Sequence, residues 1–375
     1  VVAPAAFKGA LSAAGAARAI AAGMRLVPGV VTDEVPIADG GEGTLDALVA
    51  ARGGRTRTFT VADPLGRPVE APLGLLPGGV AVVELALASG YERLADRERD
   101  PEVTTTRGTG ELVRAALDLG ATRIIVCVGG SATNDGGLGI ALALGAAALD
   151  DAGAQLEGRG GELARVARLD LAGLDPRLQD VAIQVACDVD TTFVGTEGAS
   201  RVFGPQKGAD PGMVERLEAG MERLAGAIEA ATGEDLRARP GSGAAGGAAG
   251  GMRAILGAEL LEGAELVLDA VDIAERLAGT DLCVTGEGRL DHQTLAGKGP
   301  GAVARAAGRA GVPAVALCGE VALGPGEITR AGLVAATAVG RRVRPLPDAL
   351  AETERDLAAA GAALAALWSA AASGA

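Results

Sequence analysis

Lysine, histidine and asparagine are nearly absent from this chain: 375 residues hold 34 cationic side chains, yet only Lys8, Lys207 and Lys298 are lysine, only His292 is histidine and only Asn134 is asparagine. Aromatic side chains are scarce as well, at 2% against a hydrophobic fraction of 49%, so the core has to be built from Ala, Val, Leu and Ile at short backbone separations. That packing suits helices laid on parallel strands. Positive charge is outweighed, and the net charge of -14 opposes any general affinity for nucleic acid or anionic membrane, so neither is expected as a partner. No run of 18 or more residues is apolar without interruption by Gly or charge, and no basic segment precedes an apolar one near Val1. The cytoplasm is the expected location, with an initiator methionine expected ahead of Val1. Cysteine is sparse too: Cys127, Cys187, Cys283 and Cys318 lie in or at the ends of apolar runs without metal-ligand spacing, and read as reduced core residues.

Known catalytic signatures are also missing. There is no G-x-x-x-x-G-K-[ST], no H-R-D loop and no G-x-G-x-x-G with a spaced acid, which removes P-loop and protein-kinase chemistry. With one histidine and no G-x-S-x-G elbow, a Ser-His-Asp hydrolase is disfavoured.

What is present is a repeated theme: a short Val/Ile-rich run, a Gly-bearing loop, then an Ala/Leu helix. This predicts an α/β fold with parallel strands at 1–3, 30–37, 123–128, 281–285, 313–318 and 333–339, and helices at 12–26 and 299–308, the first capped by Ser12. Residues 56–85 break the theme, with turn signals at Asp63-Pro64-Leu65-Gly66 and Pro77-Gly78-Gly79 that predict antiparallel hairpins. From 137 to 272 a single strand, 181–186, a long helix, 211–231, and the Gly-Ala run 241–251 suggest a second domain inserted into the first. That run reads either as a flexible linker or as backbone able to approach a ligand closely.

The rare residues fall in Gly-rich turns. Each lysine precedes a glycine, and a compact ammonium follows a migrating phosphoryl group more readily than the broad guanidinium fork does. Asn134 lies in Gly129-Gly130-Ser131-Ala132-Thr133-Asn134-Asp135-Gly136-Gly137, between a strand and a helix, where amides and a helix N-terminus can cradle phosphate; a polar turn held by Asn134 and Asp135 is the alternative. Asp39-Gly40-Gly41-Glu42-Gly43-Thr44 has the same placement and can hold Mg2+ through water or bind substrate hydroxyls; a turn with acidic charges at a helix N-terminus is the alternative. Asp188 ends an apolar run, as a base or metal ligand would, or as an exposed strand terminus. Arg107 can clamp a carboxylate, while Thr104-Thr105-Thr106 before it read equally well as helix-capping hydroxyls, and Arg201 with Lys207 can neutralise phosphate or form a solvated basic turn.

Together these segments resemble the glycerate kinases related to bacterial 2-phosphoglycerate-forming enzymes, over residues 3–350. The motifs are Phe7-Lys8-Gly9, Asp39 to Thr44, Thr106-Arg107-Gly108-Thr109-Gly110-Glu111, Gly129 to Gly137, Ala186-Cys187-Asp188-Val189, Arg201 through Phe203-Gly204-Pro205-Gln206-Lys207-Gly208, and Thr285-Gly286-Glu287-Gly288. The resemblance implies a discontinuous Rossmann-like domain (1–55, 100–136, 275–375) with a second α/β domain inserted (56–99, 137–274). It also implies ATP and Mg2+ as cosubstrates and phosphoryl transfer to D-glycerate, 2-phosphoglycerate being the favoured product. Residue assignments follow: catalysis by Lys8, Asp188 and Lys207, with Asp188 accepting the hydroxyl proton; glycerate binding by Asp39, Gly40, Gly41, Glu42, Thr106, Arg107 and Arg201; nucleotide binding by Gly129, Gly130, Ser131, Asn134, Asp135, Glu287 and Lys298; and Mg2+ by Asp135 and Asp188. The chain departs from the family at Ala5-Ala6, where an acidic or polar pair is usual, a change expected to weaken activity or alter the acceptor. Two other readings stand beside this one, a nicotinamide-dependent hydroxy-acid dehydrogenase and a non-catalytic metabolite-binding protein.

Overall fold

The computed structural model describes residues 1–295 and 299–372. They group into two compact units, Val1–Asp39 with Asp46–Gly54 and Ala264–Ala375, and Gly40–Leu45 with Arg55–Gly263. The fold is α/β, and the first unit is discontinuous in sequence, as expected.

The first unit is built on a parallel sheet in the order Val2–Pro4, Cys283–Gly286, Ala314–Cys318, Ala335–Ala338. The strands are short, and the second and third are buried throughout, so both faces must be covered by helices. Residues 34–37 run beside the first strand, the amides of Val35 and Ile37 donating to the carbonyls of Val2 and Pro4 at 2.8 and 3.0 Å. The strand expected at 30–37 begins to pair only at Glu34, because the turn at Pro28-Gly29 carries the preceding residues to the surface. Helix Ala13–Met24 starts where Ser12 Oγ accepts the Gly15 amide at 3.1 Å, the cap read from sequence. The C-terminal helix Thr353–Ala372 packs on it at backbone distance: a Cβ on Gly23 would stand 1.8 Å from the Ala358 carbonyl oxygen, and one on Gly361 would stand 2.5 Å from that of Ile20. A core poor in aromatics is closed by such approaches.

The second unit carries a six-stranded sheet in the order Arg55–Ala62, Pro68–Leu76, Val80–Glu84, Arg123–Cys127, Ala182–Ala186, Glu259–Leu261. The first three strands form the expected antiparallel hairpins, with Asp63 Oδ1 accepting the Leu65 and Arg67 amides in the first turn. The remaining pairings are parallel. Residues 100–136 were expected in the first domain, but Arg123–Cys127 pairs in register with Val80–Glu84 and Ala182–Ala186, which puts that stretch in the second unit. The strand-loop-helix pattern is the same in both sheets, so it does not reveal which sheet a strand joins.

The Gly-Ala run is not a linker. It turns into helix Ala248–Leu256, is largely buried, and meets another backbone rather than solvent: a Cβ on Gly246 would stand 2.0 Å from the Thr133 carbonyl oxygen. The Gly136 amide donates to the Gly246 carbonyl at 3.0 Å, so the run braces the loop that contains Asn134 and Asp135. Three of the four cysteines are buried and Cys187 is half-buried, all as free thiols. Among the described residues no helix is long and apolar enough to cross a membrane.

Two glycines in the first unit separate close packing from simple helix propensity. Gly23→Val forces apart the helices that meet at Ala358 and should cost about 1–3 kcal/mol or more. Gly308→Ala, in helix Pro300–Arg309 with open space around it, should be neutral or stabilise by up to about 1 kcal/mol. Thermal or urea unfolding of the two variants checks both signs.

Candidate active site

In the second unit, the loop after strand Arg123–Cys127 is organised around one buried carboxylate. Asp135 Oδ2 accepts the Thr106 amide at 2.6 Å, the Thr106 hydroxyl at 2.8 Å, the Gly139 amide at 3.2 Å and the Thr105 hydroxyl at 3.5 Å, while Oδ1 accepts the Gly137 amide at 3.1 Å. These bonds join the starts of helices Arg107–Asp118 and Leu138–Ala143 through a single side chain. Burial pushes the Asp135 carboxyl upward, and the donors from Thr106, Gly137 and Gly139 pull it back toward the ionised form. With its oxygens committed to protein donors, Asp135 does not fit the metal-ligand role expected of it. Among the described residues, no three or more His, Cys, Asp or Glu side chains are grouped to hold a metal ion.

Lys207 supports the same loop from inside. It is buried, and its Nζ donates to the Thr133 carbonyl at 2.6 Å and to Ser131 Oγ at 3.5 Å. Asn134 is buried too, its Nδ2 donating to Ser200 Oγ at 3.0 Å. Ser131, Asn134, Asp135, Thr106 and Lys207 are therefore brought together, but as a frame behind the loop. Gly129 and Gly130 remain at its partly open surface.

Sequence reasoning missed Glu84, which ends strand Val80–Glu84 and is buried. Its two carboxylate oxygens accept the Gly43 and Leu45 amides at 2.9 and 3.1 Å, fixing the segment that follows Gly40, Gly41 and Glu42. Gly40 fits only as glycine, because a Cβ there would lie 2.5 Å from that of Ala186. The available signal was an acid closing the apolar run Val80-Ala81-Val82-Val83, the same pattern that singled out Asp188. Asp188 itself accepts the Gly263 amide at 2.6 Å.

In the first unit, three of the expected site residues sit at the carboxyl ends of adjacent extended segments, where open α/β sheets bind ligands. Lys8 is exposed in the turn after Val2–Pro4, Asp39 is exposed after residues 34–37, and Glu287 is half-buried directly after Cys283–Gly286. Thr294 Oγ1 donates to Glu287 Oε1 at 2.6 Å. Burial pushes the Glu287 carboxyl up to about 7, the Thr294 hydrogen bond and Lys8 oppose this, and the charges of Asp291 and Asp39 add to it.

Other expected residues stay apart. Arg107 is exposed and reaches Glu111 at 3.3 Å on an outer groove lined also by Phe59, Val61 and Arg114. The Arg201 fork is filled by Glu215, at 2.5 and 2.9 Å, so neither arginine is gathered into the buried frame. The single histidine, His292, is exposed, and Lys298 lies outside the described residues.

Burial lowers the Lys207 ammonium from its ordinary 10.5 to about 7, with Asp135 opposing the shift. Between those two values the unfolded chain holds a proton that the folded chain has released, so stability rises with pH across that window. The slope is at most about 1.4 kcal/mol per pH unit. Lys207→Met should flatten this part of the stability profile, as measured by urea unfolding at a series of pH values; an unchanged slope would show that another group sets it.

Known proteins share this architecture. The chain is 44% identical over 368 residues to the glycerate kinase of Bacillus subtilis (strain 168), covering 96% of each. It is 44% identical over 351 residues to the glycerate 2-kinase of Escherichia coli (strain K12), covering 93% of this chain and 92% of the relative. A crystal structure from Salmonella typhimurium LT2, provisionally assigned as glycerate kinase 2, superposes with a TM-score of 0.91 at 42% identity, covering 99% of this chain and 98% of that one. With residues 1–369 matched by the model of the glycerate kinase family as well, this chain belongs to the glycerate kinase family.

Proposed function

We propose that this chain transfers the terminal phosphate of ATP, supplied with Mg2+, to a hydroxyl of D-glycerate, releasing ADP and phosphoglycerate. The observation that carries the reading is 44% identity across 96% of both chains to a named glycerate kinase. Similar identity to a relative named glycerate 2-kinase favours the C2 hydroxyl and hence 2-phosphoglycerate.

Phosphoryl transfer needs little covalent help from a protein, so in-line positioning and neutralisation of charge on the transferring group supply most of the rate. In the first unit, Lys8 is the exposed cation at a strand's carboxyl end and is suited to neutralise that group. Asp39 offers a carboxylate to the hydroxyls of a small acid. In the second unit, Gly129 and Gly130, at the partly open start of the Gly129 to Gly137 loop, present backbone to the nucleotide phosphates, and Lys207 with Asp135 holds the buried rest of the loop in shape from within. Lys207 is thus a positioning residue rather than a group that touches substrate.

Mg2+ bound to the nucleotide phosphates neutralises charge there and orients them. The side chains present fit an ion carried by the phosphates with one or two carboxylates, Asp188 being the candidate, rather than a protein-built cage.

Phosphorus NMR of the purified chain with ATP, Mg2+ and D-glycerate tests the reading directly. It should show ADP and 2-phosphoglycerate forming together. ATP left intact, or ADP formed without phosphoglycerate, would refute the assignment, and 3-phosphoglycerate would refute the C2 regiochemistry. Lys8→Ala should lower turnover in the same assay by about a hundredfold, equivalent to about 3 kcal/mol of barrier; near-normal turnover in the folded variant would reject that role.

A further inference from the structure

Strand Cys283–Gly286 is central in the first unit's sheet, flanked by Val2–Pro4 and Ala314–Cys318, and Glu287 is the first residue beyond its carboxyl end. One carboxylate oxygen is held by Thr294, which is itself buried. The other faces glycine: a Cβ on Gly299 would stand 3.8 Å from Glu287 Oε2 and 4.0 Å from the Ala5 side chain. On the neighbouring strand end, the Lys8 amide lies 3.6 Å from where a Cβ on Gly288 would stand. The cation suited to the transferring phosphoryl group and this half-buried carboxylate therefore belong to adjacent loops of one sheet edge.

We propose that Glu287 is the catalytic base, accepting the proton of the substrate hydroxyl during phosphoryl transfer. This rests on the kinase reading above and gives Glu287 the role that the sequence assigned to Asp188, whose carboxylate is engaged by the Gly263 amide in the other unit. In the step, the hydroxyl oxygen bonds to the terminal phosphorus of the nucleoside triphosphate. The bond from that phosphorus to its bridging oxygen breaks, and its electron pair leaves with the nucleoside diphosphate. The hydroxyl proton passes to the Glu287 carboxylate and then to water; nothing is oxidised or reduced.

The surroundings agree with this. A general base works best when its proton affinity lies near the working pH, and burial brings Glu287 to about 7. Among the described residues, the charges of Asp291, Asp39 and Lys8 act on it. Cys318, which accepts a hydrogen bond from the Glu287 backbone, is pushed by burial up to about 12 and stays a neutral thiol.

The test uses the full chain with ATP, Mg2+ and D-glycerate across a pH series. Wild-type turnover should rise with pH through one step near 7, the value to which burial brings the Glu287 carboxyl. In Glu287→Gln, which keeps an acceptor for Thr294, turnover should fall at least about a hundredfold with the KM for glycerate within about threefold, and the step should vanish. Thr294→Val removes a donor that favours the carboxylate, so it should keep the high-pH plateau within about tenfold and move the step to higher pH, a change that a purely structural role would not produce.

If Glu287→Gln fails to fold, the Thr294→Val shift decides. A folded Glu287→Gln that retains turnover within about threefold, or a step that stays in place in Thr294→Val, overturns the inference while leaving the kinase reading intact. A wild-type chain that makes no phosphoglycerate overturns both.

Discussion

A carboxylate buried among five donors is the interaction on which the second unit's loops depend. Taking an ion such as Asp135 out of water costs several kcal/mol unless its hydrogen-bonding capacity is filled. Here it is filled by Thr105, Thr106, Gly137 and Gly139, which belong to two chain segments far apart in sequence. Neither segment can move alone without exposing the charge to unpaired burial. Lys207 fixes the Thr133 carbonyl, and the Gly246 carbonyl fixes the Gly136 amide, so the buried stretch from Ser131 to Gly139 is held from several sides while Gly129 and Gly130, just before it, remain partly open to solvent. Such rigidity suits a phosphate-binding loop, because amides positioned before the ligand arrives need little reorganisation.

The first unit solves a different problem. Its strands are short and flanked by helices of small residues, which lets Gly23 and Gly361 bring helix backbones together and leaves the strand ends crowded with loops. Lys8, Asp39 and Glu287 all emerge from those ends. Burial raises the proton affinity of both carboxyls, but Glu287 is half-buried with Thr294 on one oxygen, whereas Asp135 is fully buried with both oxygens taken up by protein donors. Two acidic side chains in similar Gly-rich loops thus serve opposite purposes, and solvent access with hydrogen-bond saturation separates them.

Much of this was legible in the residues. Hydrophobic runs with Gly-bearing loops located most strands, the turn signals at Asp63 and Pro77 located the hairpins, and Ser12 marked a helix start. Two of the rare residues, Asn134 and Lys207, do fall on one loop region, Lys207 reaching the Thr133 carbonyl beside Asn134. Their orientation was not legible. Thr106, Asp135 and Lys207 read as ligand contacts, but whether a polar side chain in a turn faces inward depends on partners more than seventy positions away in the case of Lys207 and Thr133. Glu84 was overlooked for the same reason, since an acid at the end of an apolar run looks exposed until the amides of Gly43 and Leu45 are placed against it. The affiliation of Arg123–Cys127 and the packing of the Gly-Ala run were likewise set by tertiary pairing, which local pattern does not carry.

If Asp135 is the common anchor, the amides that it binds must open together. Native-state hydrogen exchange at Thr106, Gly137 and Gly139 measures this, with the amides of strand Arg123–Cys127 as the reference for global opening. The account predicts slow exchange for all three, close to the reference, and a joint loss of protection in Asp135→Asn. Fast, independent exchange at the three positions in the wild-type chain, or protection that survives the substitution, would contradict it.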